Sequence, residues 1–202
     1  MTEQPTLTKA EQTRARILAS GRALVLARGF SGVGLKDILI AAQVPKGSFY
    51  YYFPSKEAFG AAMLTEYVAE YLDGFDRIAD TPAPAAERML AFFGRAPGGP
   101  AGSMAERCLV VKLAAEIADL SDEMRRILDD GVGQFCTRLA RLLEDGAGDG
   151  SLLTQPDPTA AARQLYAQWL GAAILTKLAR DPAPLDEALT DTRRRFCRLP
   201  TA

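Results

Sequence analysis

Two prolines, Pro45 and Pro54, leave room between them for only a very short helix, and that restriction governs how the first third of this chain can fold. A proline disfavours helical geometry in the residue before it, so Gln43-Val44-Pro45 ends one helix and Phe53-Pro54-Ser55 ends the next. The run between them, Lys46-Gly47-Ser48-Phe49-Tyr50-Tyr51-Tyr52, makes roughly two helical turns. Phe49 is its natural inward anchor. Three consecutive tyrosines are hard to bury, because each hydroxyl would need a partner inside the fold.

The flanking segments carry helical periodicity. Ile17, Leu18, Gly21, Leu24 and Val25 share one face of a helix ending near Gly29, and Leu35, Ile38, Leu39 and Ala42 repeat at the same spacing. A bracing helix, a second helix, a three-residue break and a short third helix make the layout of a helix-turn-helix. The short helix then lies in a DNA major groove with its apolar residue turned away. Tyrosine hydroxyls suit phosphates, tyrosine rings suit thymine methyls, and Lys46 is placed to reach a guanine edge. Gly47 allows close backbone approach. Ser55 reads as the N-cap of the following helix, where Lys56 and free amides make a phosphate site.

The remainder is helical as well: about Thr81 to Phe93, Ser103 to Leu120, Asp122 to Gly146, Pro158 to Arg180, and a last helix with Leu185, Ala188, Leu189, Thr192 and Phe196 on one face. Residues 96–102, APGGPAG, read as a loop. No strand alternation or internal repeat occurs, so the fold class is all-α. We expect a helix-turn-helix domain over residues 1–56 and a helical sensing and dimerisation domain over 57–202. The net charge of −1 conceals an asymmetry. Residues 1–60 hold eight basic and four acidic side chains, and local positive charge is what faces phosphates. No stretch approaches the roughly 20 apolar residues of a membrane span, and Met1–Ala10 lacks a signal-peptide core, which reads as cytoplasmic.

Histidine is absent, which removes Ser-His-Asp and Cys-His catalysis and the commonest metal ligand. Cys108, Cys136 and Cys197 form no CxxC pair and are odd in number. Neither a disulfide framework nor a zinc site is expected, and no cofactor. An enzyme reading would need Cys108 as the nucleophile of a helical thiol enzyme, without a base to serve it.

The stretch GFSGVGLKDILIAAQVPKGSFYYYFPSKEAFGAAML resembles the DNA-binding signature of TetR-family repressors. The resemblance implies that Lys46, Gly47, Tyr50 and Tyr51 face bases, and that Ser48, Tyr52 and Lys56 meet phosphates. Many members place threonine where Gly34 or Leu35 stands. Here Gly34 has only its backbone N–H for that contact.

The rest of the chain then houses an effector site. Met89, Phe92, Phe93, Met104, Leu109, Tyr166, Trp169 and Leu170 are candidate pocket walls, although many such residues are simply core. Cys108 stands near a helix start beside Arg107 and one turn from Lys112, a setting that favours thiolate, whereas a cysteine on an apolar helix is ordinarily a small buried hydrophobe. CLVVKLAAEIADLSDEMR and LYAQWLGAAILTKLARD resemble the NemR-like branch of the family, which senses electrophiles and oxidants. That resemblance makes Cys108 the sensor and brings Lys177 near it, with Cys136 and Cys197 as packing residues. The expected function is a homodimeric repressor on a palindromic operator, released by an electrophile or oxidant at Cys108. A reversible inducer in the helical pocket is the alternative. The expected dimer seam is Gly171-Ala172-Ala173 with Leu185, Leu189 and Phe196.

Overall fold

A computed structural model describes residues 8–94 and 103–198. The expected loop at 96–102 lies outside the described residues. Ten helices are present among them: α1 (Lys9–Arg28), α2 (Leu35–Ala42), α3 (Lys46–Tyr52), α4 (Lys56–Ala79), α5 (Ala85–Phe93), α6 (Met104–Arg107), α7 (Leu109–Leu120), α8 (Asp122–Gly148), α9 (Pro158–Ala179) and α10 (Ala183–Phe196). The one extended pairing among the described residues is an isolated bridge between Leu152 and Cys197.

Local chemistry sets most of the helix ends. Thr8 and Glu11 form a capping box at the start of α1, each accepting the other's backbone N–H. Gly29 closes that helix at φ 80°, a backbone conformation glycine adopts without strain. Gln43 ends α2 in the left-handed region at φ 54°, immediately ahead of Val44-Pro45. Ser55 Oγ accepts the Ala58 N–H at 3.0 Å, as its reading as an N-cap requires. Asp157 does the same for Ala160 at 2.9 Å.

Two helices differ from expectation. α5 starts at Ala85 rather than at Thr81-Pro82, because its first free amides find partners at a distance: Asp149 accepts the Ala85 N–H and Ser151 Oγ accepts the Ala86 N–H. The helix expected over Ser103–Leu120 is two helices. A capping box between Ser103 and Glu106 completes the one-turn α6, and the chain leaves helical geometry at Cys108 (φ −75°, ψ 112°) before α7 begins.

The chain forms two compact units, the first comprising residues up to Tyr67 together with Lys112–Ile127, the second Val68–Val111 with the segment from Leu128 onward. The first is larger than the 1–56 segment, since residues of α4, α7 and α8 pack into it. Its core includes Ile17, Leu18, Val25, Phe30, Ile38, Phe49 and Phe59, all buried. α1 crosses α4 closely at Gly21, where an added Cβ would stand 2.3 Å from Phe59 Cζ. Gly60 admits Met124 in the same way, with the sulfur 2.5 Å from an added Cβ.

The second unit is built around aromatic rings. Phe93 stacks on Trp169 at 4.7 Å between centroids, Phe75 meets Phe92 edge-on at 5.0 Å, and Phe135 meets Tyr166 at 4.7 Å. The Trp169 indole N–H donates to Thr192 Oγ1 at 3.0 Å, and that hydroxyl donates to the Ala188 carbonyl. α10 packs against α9 and α5, which buries Leu185, Ala188 and Phe196 inside the chain. Ala172 and Ala173 are buried too. Of the seam read from the sequence, Ala172, Ala173, Leu185 and Phe196 are therefore internal packing, whereas Gly171 and Leu189 stay half-buried, and the exposed large apolar residues of α9 are Ile174, Leu175 and Leu178.

Candidate functional site

α3 is anchored on its inner face by one aromatic residue. Phe49 is fully buried and lies 5.4 Å from the Phe53 ring and 5.8 Å from the Phe59 ring. Phe53 is covered in turn by the Arg14 guanidinium, which also pairs with Glu66 at 2.9 Å. With the anchor fixed, helical geometry turns the other side chains outward. Tyr51 is 79% exposed and Tyr50 47%. Tyr51 and Tyr52 meet edge-on at 4.9 Å, and the Lys46 ammonium lies over the Tyr50 ring at 5.9 Å. Lys46 and Gly47 are exposed; Ser48 and Tyr52 are half-buried. The seven residues thus display one cation, hydroxyls and aromatic faces on a helix short enough for a major groove.

Two neighbouring groups are otherwise engaged. The Gly34 N–H donates to Asp37 Oδ2 at 3.0 Å, so the contact left to its backbone is already occupied. The Lys56 ammonium donates to the Phe30 carbonyl at 2.7 Å and lies over the Phe30 ring at 4.5 Å. Burial lowers the Lys56 pKa, and the charge of Glu116 partly offsets this. Lys56, expected at a phosphate, is thus also tied to the turn between α1 and α2. Sequence reasoning missed Glu116. This residue of α7 holds the same turn through the Phe30 and Ser31 amides, and a contact across some 85 positions leaves no local signal.

In the second unit Cys108 is 3% exposed. It follows α6, which packs on α9, the helix that carries the exposed Lys177. Cys136 is buried and Cys197 half-buried, and burial pushes both thiols up from their ordinary pKa despite nearby arginines. Met89, Phe92, Phe93, Leu109, Tyr166 and Trp169 are all buried, with Met104 and Leu170 half-buried at the edge of the same core. The rings among them contact one another directly. A cavity of about 360 Å³ lies elsewhere in this unit, among Phe75, Asp76, Thr81, Arg88, Arg138 and Asp145.

Together these features define a helix-turn-helix DNA-binding protein with a separate helical body. Residues 17–63 match the family described as bacterial regulatory proteins, tetR family, and residues 85–192 match a tetracyclin repressor-like C-terminal domain. The chain is 40% identical over 184 residues to the HTH-type transcriptional repressor NemR of Escherichia coli (strain K12), covering 90% of this chain and 92% of that one. It is 33% identical over 178 residues to the HTH-type transcriptional repressor DhaR of Mycobacterium sp. (strain GP1), covering 88% of each. The crystal structure of the reduced form of E. coli NemR superposes with a TM-score of 0.87 at 38% identity, covering 94% of this chain and all of the other. The chain belongs to the TetR family of bacterial transcriptional regulators and is a NemR-like repressor, a regulator rather than an enzyme.

Proposed function

We propose that this repressor leaves its operator when an electrophile or oxidant reacts at Cys108. The observation that carries this reading is the position of the thiol. Cys108 is the residue at which the chain breaks between α6 and α7, and it is almost fully buried there. Addition to an electron-poor alkene joins sulfur to carbon, and the thiol proton passes to the adjacent carbon, so no further reagent is required. The adduct adds volume where there is little room, and overpacking of this kind costs about 1–3 kcal/mol. That range matches an allosteric coupling of about 5–150-fold, enough to shift the population away from the DNA-competent state. That E. coli NemR has been crystallised in a reduced form supports a thiol whose state matters.

In the test, purified protein on operator DNA is exposed to an electrophile, with wild type and Cys108→Ser compared. Release should be lost in the variant, and a single adduct on Cys108 should appear by mass spectrometry in the wild type. Undiminished release from Cys108→Ser removes the thiol from the mechanism. The charged cavity beside Arg88 and Arg138 favours a second reading, a reversible inducer. Dialysis separates the two, since such an inducer washes out and leaves no adduct.

For DNA, this reading assigns Lys46, Gly47, Tyr50 and Tyr51 to bases, and Ser48, Tyr52 and Lys56 to phosphates, the Lys56 ammonium having two N–H groups beyond the one it gives to Phe30. Two copies joined through Ile174, Leu175 and Leu178 place two such helices about 34–36 Å apart or further on a palindrome, in the cytoplasm. Gly47 offers a test with opposed signs. Nothing lies within 4 Å of a Cβ built there, so the fold does not require glycine. Inside a helix glycine is about 1 kcal/mol worse than alanine. Gly47→Ala is therefore expected to raise the melting temperature while weakening operator binding at least tenfold. A variant that binds as well as wild type would show that the duplex does not approach this backbone.

A further inference from the structure

We propose that Glu116 is a positioning residue for operator recognition: its carboxylate fixes the turn between α1 and α2, and through that turn the start of α4 and the reading helix just before it. Glu116 Oε2 accepts the Phe30 N–H at 3.1 Å and Oε1 accepts the Ser31 N–H at 2.5 Å. A Cβ at Gly29 would stand 3.0 Å from Oε2, so glycine is what lets the carboxylate reach these amides. Phe30 is held on its other sides as well. Its carbonyl accepts from Lys56, the first residue of α4, and its ring lies against Gly60, where an added Cβ would be 2.7 Å from it. Only Phe53, Pro54 and Ser55 separate α4 from α3. One residue thus ties α7 to both ends of the DNA-reading layout. Nearby, Lys112 of α7 donates to the Ala27 carbonyl, and Ser121 donates to Glu57.

The chemistry demands a carboxylate. Two backbone donors converge on two acceptor oxygens, and bonds to an ionised acceptor are about twice as strong as neutral ones. A glutamine has one oxygen, so its NH2 would confront the second amide, donor against donor. Burial opposes ionisation here, but the bonds from Ser31 and Phe30 and the Lys56 charge outweigh it and keep the group below its ordinary pKa. The sign of the effect on DNA separates positioning from simple charge. Removing a negative charge from a DNA-binding unit should by itself tighten binding to any duplex, whereas loss of positioning should weaken the specific one.

The experiment uses full-length wild type, Glu116→Gln and Glu116→Asp, with two probes at one salt concentration: a duplex selected in vitro by the wild type, and a scrambled duplex of equal length. Glu116→Gln should lose about tenfold or more on the selected duplex, within the usual range of coupling energies, with scrambled-duplex affinity unchanged or slightly raised. Glu116→Asp, which keeps the charge but shortens the reach, should fall between. Equal losses on both duplexes with a lowered melting temperature would mean a merely structural role. Gains on both would mean charge alone, and no change would mean no role; each of these overturns the proposal. If Glu116→Gln fails to fold, the selective loss in Glu116→Asp decides the matter. A wild type that selects no duplex refutes the DNA-reading assignment itself, a separate failure.

Discussion

Phe49→Ala should abolish operator binding while Trp169, the chain's one tryptophan, keeps its native fluorescence. Phe49 is fully buried among Phe53 and Phe59, and truncating such a side chain costs about 3–5 kcal/mol. Domains are stable by only about 5–15 kcal/mol. The local consequence is sharper still. α3 has seven residues and no side-chain cap at its start, and isolated helices shorter than about 12–15 residues are marginal in water. Its geometry therefore depends on the anchor. Trp169 belongs to the other compact unit and reports on that unit. Thermal unfolding and operator titration of the variant give the two readouts. Operator affinity within threefold of wild type would mean that something else orients the helix.

Leu178→Asp should convert the protein to monomers in sedimentation equilibrium and cost about a hundredfold or more in operator affinity. Leu178 is 76% exposed, beside Leu175 and Ile174 on α9. In a lone subunit an aspartate there is solvated, and surface changes of this kind are usually within about 0.5 kcal/mol. Across a two-fold axis the same patch meets itself, so the substitution buries two unpaired carboxylates. Separated subunits then lose the gain of two linked half-sites, typically about 10²–10⁴-fold. A variant that stays dimeric places the subunit interface on another face.

The DNA-reading layout was legible because its determinants are local: Pro45 and Pro54 set the helix ends, and three tyrosines beside one phenylalanine set inside and outside. The break at Cys108 was not. Neither glycine nor proline marks it, and α6 ends after one turn because Ser103 and Glu106 satisfy each other while Leu109 begins a new helix. The dimer seam was legible only in part, for a different reason. α9 is apolar around much of its circumference, so periodicity does not distinguish the face buried by α10 from a face left for a partner. Glu116, and the second contact of Lys56, were missed because both act on the backbone of Phe30, whose amide and carbonyl carry no side-chain signature.

The stacked rings of Phe93 and Trp169 have a bearing on which molecules this body admits. Occupied space of that kind acts as a size filter. A bulky guest would have to wedge the rings apart and forfeit their mutual attraction and the dispersion contacts around them. Exclusion of this sort comes from crowding rather than from shape matching, so it sorts visitors by girth before any finer detail of their structure.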